Sequence, residues 1–177
     1  IVNNVDTVCA IGAAVLENKP LMYRIVTVTG DAITDPCNFR VRIGTNYHEL
    51  IEEAGGFKQE PAKIISGGPM MGFAQADLTA ATTKGSSCLL FLTDKEFNTS
   101  PTTPCISCGK CIINCPMSLV PREIERAAQK EDFETTFKLG VLNCIECGAC
   151  SYSCPAKRPL VQAMRLAKKE IKARGIK

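Results

Sequence analysis

The sequence predicts an α+β chain in which a small, strand-rich module comes first and a mainly helical domain follows. β-branched and alternating segments are confined to the part before residue 100, whereas helical spacing of apolar residues dominates the part after residue 104. Eight of the eleven cysteines also lie in that second part, in two short runs. The two regions are therefore expected to differ in architecture and in chemistry.

The first region is predicted to open with a helix over residues 1–20, which Asn4 or Asp6 can cap. Residues 21–70 are predicted to form a small α+β module. Its elements are a strand at 23–29, a half-exposed strand at 39–43, a short helix at 47–54 that Gly55 and Gly56 stop, and a strand at 64–65.

Residues 71–104 are predicted to contain a returning strand and a linker. Residues 88–92 are apolar throughout, which indicates a buried strand, and residues 98–104 have the Ser, Thr and Pro content of a linker. Residues 105–177 are predicted to form the helical domain. Its helices are expected from Pro121 to about Lys130, from Asp132 to Gly140, and from Leu160 to about Ala173, the last with a stripe of Leu160, Met164, Ala167 and Ile171.

Charge is spread unevenly along the chain. The formal net charge is +3, yet residues 157–177 contain eight Lys or Arg and one acid, Glu170, so the remainder carries a net negative charge. This basic end is predicted to be either a solvated face or a docking surface for an acidic subunit or lipid headgroups, and it does not indicate general nucleic-acid binding.

The two ends of the sequence carry further expectations. No apolar run is long enough to cross a bilayer, and the first residues do not have the pattern of a signal peptide. They also lack an initiator Met. This chain is therefore expected to be part of a longer protein. The chain itself is expected to have no transmembrane segment.

The two cysteine runs repeat one pattern, C-x₂-C-x₂-C-x₃-C-P, at an offset of 39 residues. The first run covers residues 105–116 and the second covers residues 144–155. Three thiolates spaced by two residues can each reach a different iron of one cubane. The glycine after the second cysteine, Gly109 or Gly148, lets the backbone pass close to it. The pattern is that of bacterial two-cluster ferredoxins, and it predicts two 4Fe–4S clusters.

In this pattern the fourth cysteine of each run binds the other cluster. The predicted ligands of the first cluster are Cys105, Cys108, Cys111 and Cys154. The predicted ligands of the second cluster are Cys144, Cys147, Cys150 and Cys115. Three basic residues, Lys110, Lys157 and Arg158, lie close to the cysteines in sequence. They are either tuning groups that raise the cluster potentials or ordinary solvated side chains.

Structural zinc is the main alternative, because paired C-x₂-C runs also make zinc sites. Zinc takes four ligands per ion from two such pairs, whereas each run here has three closely spaced cysteines and a fourth followed by proline. A redox dithiol of the thioredoxin type is a weaker alternative, since such motifs occur singly.

Several residues outside the runs are given structural interpretations. Cys9, Cys37 and Cys88 are expected to be small buried apolar residues. His48 is expected at or near the surface. The Gly-rich segment at residues 67–72 is interpreted as a connection within the sheet in preference to a ligand loop, because its glycines do not follow the dinucleotide fingerprint.

The upstream segments, together with the cysteine runs, resemble the C subunit of the Rnf (Rsx) electron transport complex. These segments are NVDT at 4–7, VTVTGD at 26–31, SGGPMMG at 66–72, KGSSC at 84–88, CIECGAC at 144–150 and LVQ at 160–162. The resemblance covers essentially the whole chain. The 28 residues between Cys115 and Cys144 are similar to the helical insert of two-cluster domains in respiratory subunits.

The resemblance implies that residues 21–70 are a β-grasp module of the SLBB type and that residues 1–20 are left from an upstream flavin- and NADH-binding domain. It implies a peripheral subunit on the cytoplasmic side of the bacterial cell membrane, in a ferredoxin:NAD oxidoreductase complex that translocates ions. FMN and NADH are expected only in the upstream domain. No catalytic residue and no FMN- or NADH-binding residue is therefore assigned here.

The chain is accordingly expected to relay electrons through two clusters, between a flavin upstream and a partner iron–sulfur subunit. Two other functions stay open. Corrinoid reductases of microcompartments share the same order of modules, which allows a cobalamin-reducing subunit. A ligand-binding module with purely structural clusters is the third interpretation.

Overall fold

The computed structural model describes residues 1–96 and 100–176 of the chain. It divides into two compact units, Ile1–Thr99 and Ser100–Lys177. The predicted linker at residues 98–104 begins outside the described residues, and its described part, 100–104, has no regular secondary structure. Each unit has a core of its own, so the two are treated in turn.

The first unit contains one five-stranded mixed sheet and two helices among its described residues. In chain order its elements are α1 (Val5–Glu17), β1 (Tyr23–Thr29), β2 (Cys37–Arg42), α2 (Tyr47–Glu53), β3 (Lys63–Ser66), β4 (Phe73–Gln75) and β5 (Cys88–Leu92). The strand order is β2-β1-β5-β3-β4. The central pair β1–β5 is parallel and the other pairs are antiparallel.

The core of this unit lies between α2 and one face of the sheet. It contains buried residues from both, including Val26, Leu50 and Phe91. The end of β1 passes so close to β5 that a Cβ at Gly30 would lie 1.9 Å from the Phe91 carbonyl oxygen, and Gly30 has a φ of +127°. Only glycine fits there, which explains the Gly-Asp turn after β1.

Most of the predicted elements of this unit are confirmed. Strands β1 and β5 have the predicted bounds, and β2 starts two residues earlier than predicted. Strand β5 was expected to be buried, and only one of its faces is: Leu89 and Phe91 face the core, whereas Cys88, Leu90 and Leu92 on the other face are half-buried. Strand β4 was missed because it has three residues, all of them described and all at least partly exposed.

Helix α1 begins after Asn4, whose side chain accepts a hydrogen bond from the Asp6 N–H at 2.9 Å, and the predicted cap is confirmed. None of the residues of this helix, which the structure describes in full, is buried. Cys9, expected to be a buried apolar residue, is exposed, and the prediction is wrong because this helix packs too little to cover it.

The second unit is helical. Its elements are α3 (Lys110–Ile113), α4 (Pro121–Gln129), α5 (Phe133–Lys138), a 3₁₀ turn (Val141–Asn143), α6 (Ala149–Tyr152) and α7 (Leu160–Arg174). The predicted helices are α4, α5 and α7, and the Asp132 side chain caps α5 by accepting from the Thr135 N–H at 3.0 Å. Helices α3 and α6 were missed because each has only four residues.

Helices α4, α5 and α7 form the core of the second unit. Buried residues of α4 and α5, Ile124 and Phe133, pack with the apolar stripe of α7. All four predicted stripe residues are buried: Leu160, Met164, Ala167 and Ile171. None of the helices in the described part of the chain is both long and apolar enough to cross a membrane.

Candidate iron–sulfur sites

Four cysteines of the first predicted set line one cavity in the second unit. Cys105, Cys108, Cys111 and Cys154 surround about 400 Å³ of non-atom space, part of it open to solvent. Three come from the first cysteine run and the fourth comes from the end of the second run. The chain therefore closes this site with residues that are far apart in sequence.

The second predicted set lines a second cavity of nearly the same size. Cys144, Cys147, Cys150 and Cys115 surround about 350 Å³ of non-atom space, again partly open. Apolar residues supply most of the rest of its wall, among them Leu119, Val161 and Met164. The two groups of four match the sets that the sequence pattern predicts as ligands, and the coordination itself stays a prediction.

The backbone of the two sites repeats with the same 39-residue offset as the sequence. Positive φ angles occur at Ser107, Gly109 and Ser118, and again at Glu146, Gly148 and Lys157. Short helices follow both glycines. Turns that combine left-handed and right-handed residues point successive N–H groups into a concavity, an arrangement that recurs at iron–sulfur sites.

Backbone N–H groups donate directly to the cysteine sulfurs. The Ser107 N–H donates to Cys105 Sγ at 3.5 Å, and at the equivalent place the Glu146 N–H donates to Cys144 Sγ at 3.4 Å. The Leu119 N–H donates to Cys115 Sγ at 3.4 Å. Such donors stabilise negative charge on sulfur, so the sites suit thiolate ligands of an anionic group.

Burial acts in the opposite direction on the two deepest thiols. It raises the pKa of Cys111, and it raises the pKa of Cys150 to about 11. Without a metal these side chains are thiols at neutral pH. A bound metal needs them as thiolates, so loading either site releases protons.

No three His, Cys, Asp or Glu side chains among residues 1–96 and 100–176 are arranged to hold a single metal ion. Each cavity instead has its four cysteines around a shared space. A cubane places every thiolate on a different iron, and the donor set, the anion-binding loops and the largely apolar walls fit such a group. The described residues thus fit the clusters that the pattern predicts.

The wall of the first cavity includes three charged side chains. Arg122, Glu125 and Arg158 are part of its wall. Arg158 Nη2 donates to Glu125 Oε1, and the Glu125 side chain is only 5% exposed. Of the three basic residues predicted as tuning groups or solvated side chains, Arg158 is therefore at the site, whereas Lys110 and Lys157 are exposed to solvent.

Among the described residues, the one charged side chain in the wall of the second cavity is a carboxylate. Glu146 is part of the wall, and two cations of α7 hold it in place. Lys168 Nζ donates to Glu146 Oε1 at 2.8 Å and to the Cys144 carbonyl oxygen at 2.6 Å, and Arg165 Nε donates to Glu146 Oε2 at 3.0 Å. Part of the basic end of the chain thus supports the second cysteine loop.

Sequence reasoning missed Arg122, Glu125, Arg165 and Lys168. Each lies on a helix some distance along the chain from the cysteines that it approaches, and local spacing gives no sign of that contact. The repeat offset was the available signal, since it aligns α4 with α7 and both helices border the cavities.

The other residues interpreted from sequence lie outside these sites. Cys37 and Cys88 are half-buried, less than expected, because Cys37 is at the edge of the sheet core and Cys88 faces away from it. Burial still raises the pKa of Cys88. His48 is exposed as predicted, and its Nδ1 lies 3.3 Å from Glu52 Oε1.

The Gly-rich segment at residues 67–72 joins β3 to β4, as a connection within the sheet would. The Gly72 N–H donates to the Gly68 carbonyl at 2.8 Å. A Cβ at Gly72 would lie 2.4 Å from Ile65 Cγ2 and 2.6 Å from the Gly68 oxygen. Close packing of the hairpin is thus sufficient reason for the glycine there.

Two protein families match the chain. The SLBB domain family matches residues 25–74, within the first unit. The 4Fe-4S dicluster domain family matches residues 104–173, which include all eight cysteines of the two sites. The α+β fold class predicted from sequence, an SLBB-type module followed by a ferredoxin-type domain, is confirmed.

Curated relatives match almost the whole chain. The C subunit of the proton-translocating ferredoxin:NAD(+) oxidoreductase complex of Clostridium ljungdahlii is 49% identical over 99% of this chain. The chain is a relative of these C subunits. The C subunit of the ion-translocating oxidoreductase complex of Rhodobacter capsulatus is 43% identical over 98% of the chain, and the C subunit of the Na(+)-translocating ferredoxin:NAD(+) oxidoreductase complex of Acetobacterium woodii is 43% identical over 97%.

The resemblance that the sequence motifs predicted is therefore confirmed. The chain spans 38%, 34% and 39% of the length of these three C subunits, respectively. Their names make each of them a subunit of a multi-subunit complex. The chain therefore corresponds to part of such a protein, and within the chain this part includes the SLBB and dicluster matches.

Proposed function

We propose that this chain relays electrons, one at a time, through two 4Fe–4S clusters. The observation that supports the proposal is the grouping of eight cysteines into two sets of four, each around its own cavity, within a region that matches the dicluster family. The first set is Cys105, Cys108, Cys111 and Cys154, and the second is Cys144, Cys147, Cys150 and Cys115. When bound, each cluster supplies a centre that accepts and releases one electron.

The chain's own residues would hold these centres and control their surroundings. The cysteines act as ligands, while the N–H groups of Ser107, Glu146 and Leu119 offset negative charge on sulfur. Leu119, Val161 and Met164 keep water from much of the second site. Cys115 belongs to the first cysteine run and would bind the second cluster, while Cys154 belongs to the second run and would bind the first cluster. This exchange couples both sites into one folded unit.

We further propose that the relay connects a flavin and NADH site in another part of the longer protein with a partner iron–sulfur subunit. The relatives are subunits of ferredoxin:NAD(+) oxidoreductase complexes, which supports this placement. The chain would be a peripheral part of such a complex, on the cytoplasmic side of the bacterial cell membrane. In this proposal it has no catalytic residue of its own and acts as the electron-carrying part.

The test uses the full-length subunit within its complex, with Cys111→Ser as the variant and Cys9→Ser as the control. Cys111 lines the first cavity, whereas Cys9 is exposed on α1. Cys111→Ser is expected to lose or convert one cluster and to stop electron transfer from NADH to the partner iron–sulfur protein, while Cys9→Ser leaves both intact. Undiminished transfer in Cys111→Ser would contradict the relay.

A further inference from the structure

The 39-residue repeat extends beyond the cysteines into the walls of the two cavities. Helix α4 corresponds to the start of α7, and both border the sites. Moving by 39 residues takes each charged wall residue of the first site to an apolar wall residue of the second. The pairs are Arg122 with Val161, Glu125 with Met164, and Leu119 with Arg158.

The two sites therefore share a backbone design and differ in charge. The wall of the first site contains two guanidinium groups, Arg122 and Arg158, and one carboxylate, Glu125. Among the described residues, the only charged one in the wall of the second site is Glu146, and its repeat partner at the first site is the neutral Ser107. The wall charge is thus net positive at the first site and negative at the second.

We propose that the cluster at the first site has the higher reduction potential of the two and that Arg122 is the main cause of the difference; this rests on the function proposed above. Reduction adds one negative charge to a cluster, and a nearby cation stabilises that charge. A nearby carboxylate does the reverse. Arg122 is therefore proposed to act on the first cluster through its charge, and it is not a ligand of that cluster.

Arg122 matters more than Arg158 because of the partner that each one has. Arg158 forms an ion pair with the buried Glu125, and the two opposite charges largely cancel at the cavity. Arg122 has Glu123 nearby, with Nε 2.9 Å from its carboxylate, but Glu123 is not a wall residue. Arg122 is therefore the wall cation whose partner carboxylate, which is 35% exposed, lies outside the described wall.

Two cations also lie near the second site, and both are paired with its wall carboxylate, Glu146. Lys168 and Arg165 both bind Glu146, and neither belongs to the described wall. Lys168 Nζ also donates to the Cys144 carbonyl oxygen at 2.6 Å, so these cations offset part of the effect of the carboxylate on the second cluster. The difference between the two sites is therefore assigned mainly to Arg122, and the wall carboxylate is expected to lower the potential of the second cluster relative to a variant that lacks it.

The donors near the cysteine sulfurs differ less between the two sites than the wall charges do. Backbone N–H groups offset part of the effect of burial on the pKa of both deep cysteines: that of Arg122 acts on Cys111, and that of Ser151 acts on Cys150. The Val161 N–H, the repeat counterpart of the Arg122 N–H, donates to Ser151 Oγ at 3.1 Å instead. Each deep cysteine therefore has donors, and the side-chain charges are left as the difference.

The consequence is a direction for the relay. With this order of potentials, electron transfer from the second cluster to the first would be downhill. In a chain reduced by a single electron, the first site holds most of it.

The test is a redox titration of the cluster-loaded chain followed by EPR, with Arg122→Gln as the variant and Arg126→Gln as the control. Gln keeps the backbone N–H to Cys111 and removes the charge, while Arg126 is an exposed arginine on the same helix. The higher midpoint is expected to fall in Arg122→Gln, with a roughly tenfold change in the reduced-to-oxidised ratio, or about 59 mV for one electron. The lower midpoint is expected to stay in place, and Arg126→Gln is expected to change neither.

A second variant, Glu146→Gln, tests the other half of the proposal. It removes the wall carboxylate of the second site and is expected to raise the lower midpoint only. Iron is counted in every variant, so that loss of a cluster is not mistaken for a shift. If Arg122→Gln moves the lower midpoint or neither midpoint, the proposal is overturned, while a wild-type chain without two clusters would overturn the proposed function itself.

Discussion

At the residue scale, the exchange of one cysteine between the two runs determines how the sites are built. Cys154 is ten residues beyond Cys144 in sequence, yet it lines the cavity of Cys105, Cys108 and Cys111. The proline after it ends the run, and Ala156 and Arg158 continue along the same wall. A residue from the second run thus belongs to the first site.

This arrangement gives a prediction for Cys154→Ser. The variant is expected to lose or convert the first cluster and to keep the second, because the other three cysteines of its own run line the second cavity. EPR of the reduced protein and iron analysis measure the outcome, with Cys88→Ser as the control outside both sites. Loss of the second cluster alone would show that each run holds its own cluster.

A second residue-scale prediction concerns Asp31 in the first unit. Its carboxylate accepts from the Thr93 hydroxyl, and from the Thr93 N–H at 2.8 Å, and these hydrogen bonds lower the pKa of Asp31 below its usual 3.8. A lowered pKa means that the folded state stabilises the charged carboxylate of Asp31 relative to the protonated form. The stabilisation is therefore present above pH 3.8 and is lost as the pH falls through the folded pKa.

Asp31→Asn is accordingly expected to lower the urea midpoint of the first unit at pH 7, with a difference from wild type that shrinks below pH 3.8. Tyrosine fluorescence can follow the unfolding because Tyr47 is buried in this unit and the chain has no Trp. The exposed neighbour Asp94, changed to Asn, is the control. An equal difference at both pH values would contradict the role given to the charge.

At the element scale, the helices that border the sites are stabilised by apolar packing away from the cysteines. Ile124 of α4 is fully buried and belongs to the same core cluster as Met164 and Ala167 of α7. This packing aligns the beginnings of α4 and α7 with the two cavities. The sites therefore depend on apolar contacts that the ligands do not make.

Ile124→Ala is expected to destabilise the cluster-loaded second unit by about 2–5 kcal/mol, because it leaves a cavity in this core. Urea unfolding followed by circular dichroism measures the loss. Ile113→Ala is the matched control, since Ile113 is 83% exposed. Equal stability of the two variants would mean that α4 and α7 do not form the supporting core.

Much of this element structure was predictable from sequence. The spacing of Leu160, Met164, Ala167 and Ile171 indicated α7, and the caps at Asn4 and Asp132 indicated the starts of α1 and α5. These signals are local, because periodicity and capping act within a few turns. The family resemblance added the SLBB-type module, which the strand pattern alone left as a small α+β unit.

The parts that were missed depend on contacts between distant segments. Strand β4 exists only as a partner of β3, and its three residues carry no pattern of their own. The charged wall of the first site brings Arg158 from the end of one run to Glu125 in the middle of α4. No spacing rule predicts such a pair, and only the repeat offset points to its apolar counterpart.

At the scale of the whole molecule, the two units differ in what stabilises them. The first unit has a continuous core of residues such as Val28, Leu89 and Phe91. In the second unit, α3 and α6 have four residues each, and six residues at the cysteine loops have positive φ. Short helices and strained loops contribute little stability, so the clusters are expected to supply much of the folding free energy there.

Removal of the clusters is therefore expected to affect the units unequally. After anaerobic chelation of iron, amide protons in the cysteine runs and in α4 and α7 are expected to exchange faster, while those of β1 and β5 keep their protection. Hydrogen exchange with mass spectrometry of the loaded and cluster-free chain measures both. Equal loss of protection in the two units would contradict the separate cores.

The central claim is that this chain holds two 4Fe–4S clusters, and the most direct measurement is anaerobic iron and acid-labile sulfide analysis with EPR after dithionite reduction. We expect about eight irons and eight sulfides per chain, as two clusters require, with EPR signals of two reduced, spin-coupled clusters. Zinc in place of iron, in a colourless and EPR-silent protein, would contradict this claim and leave a structural metal module.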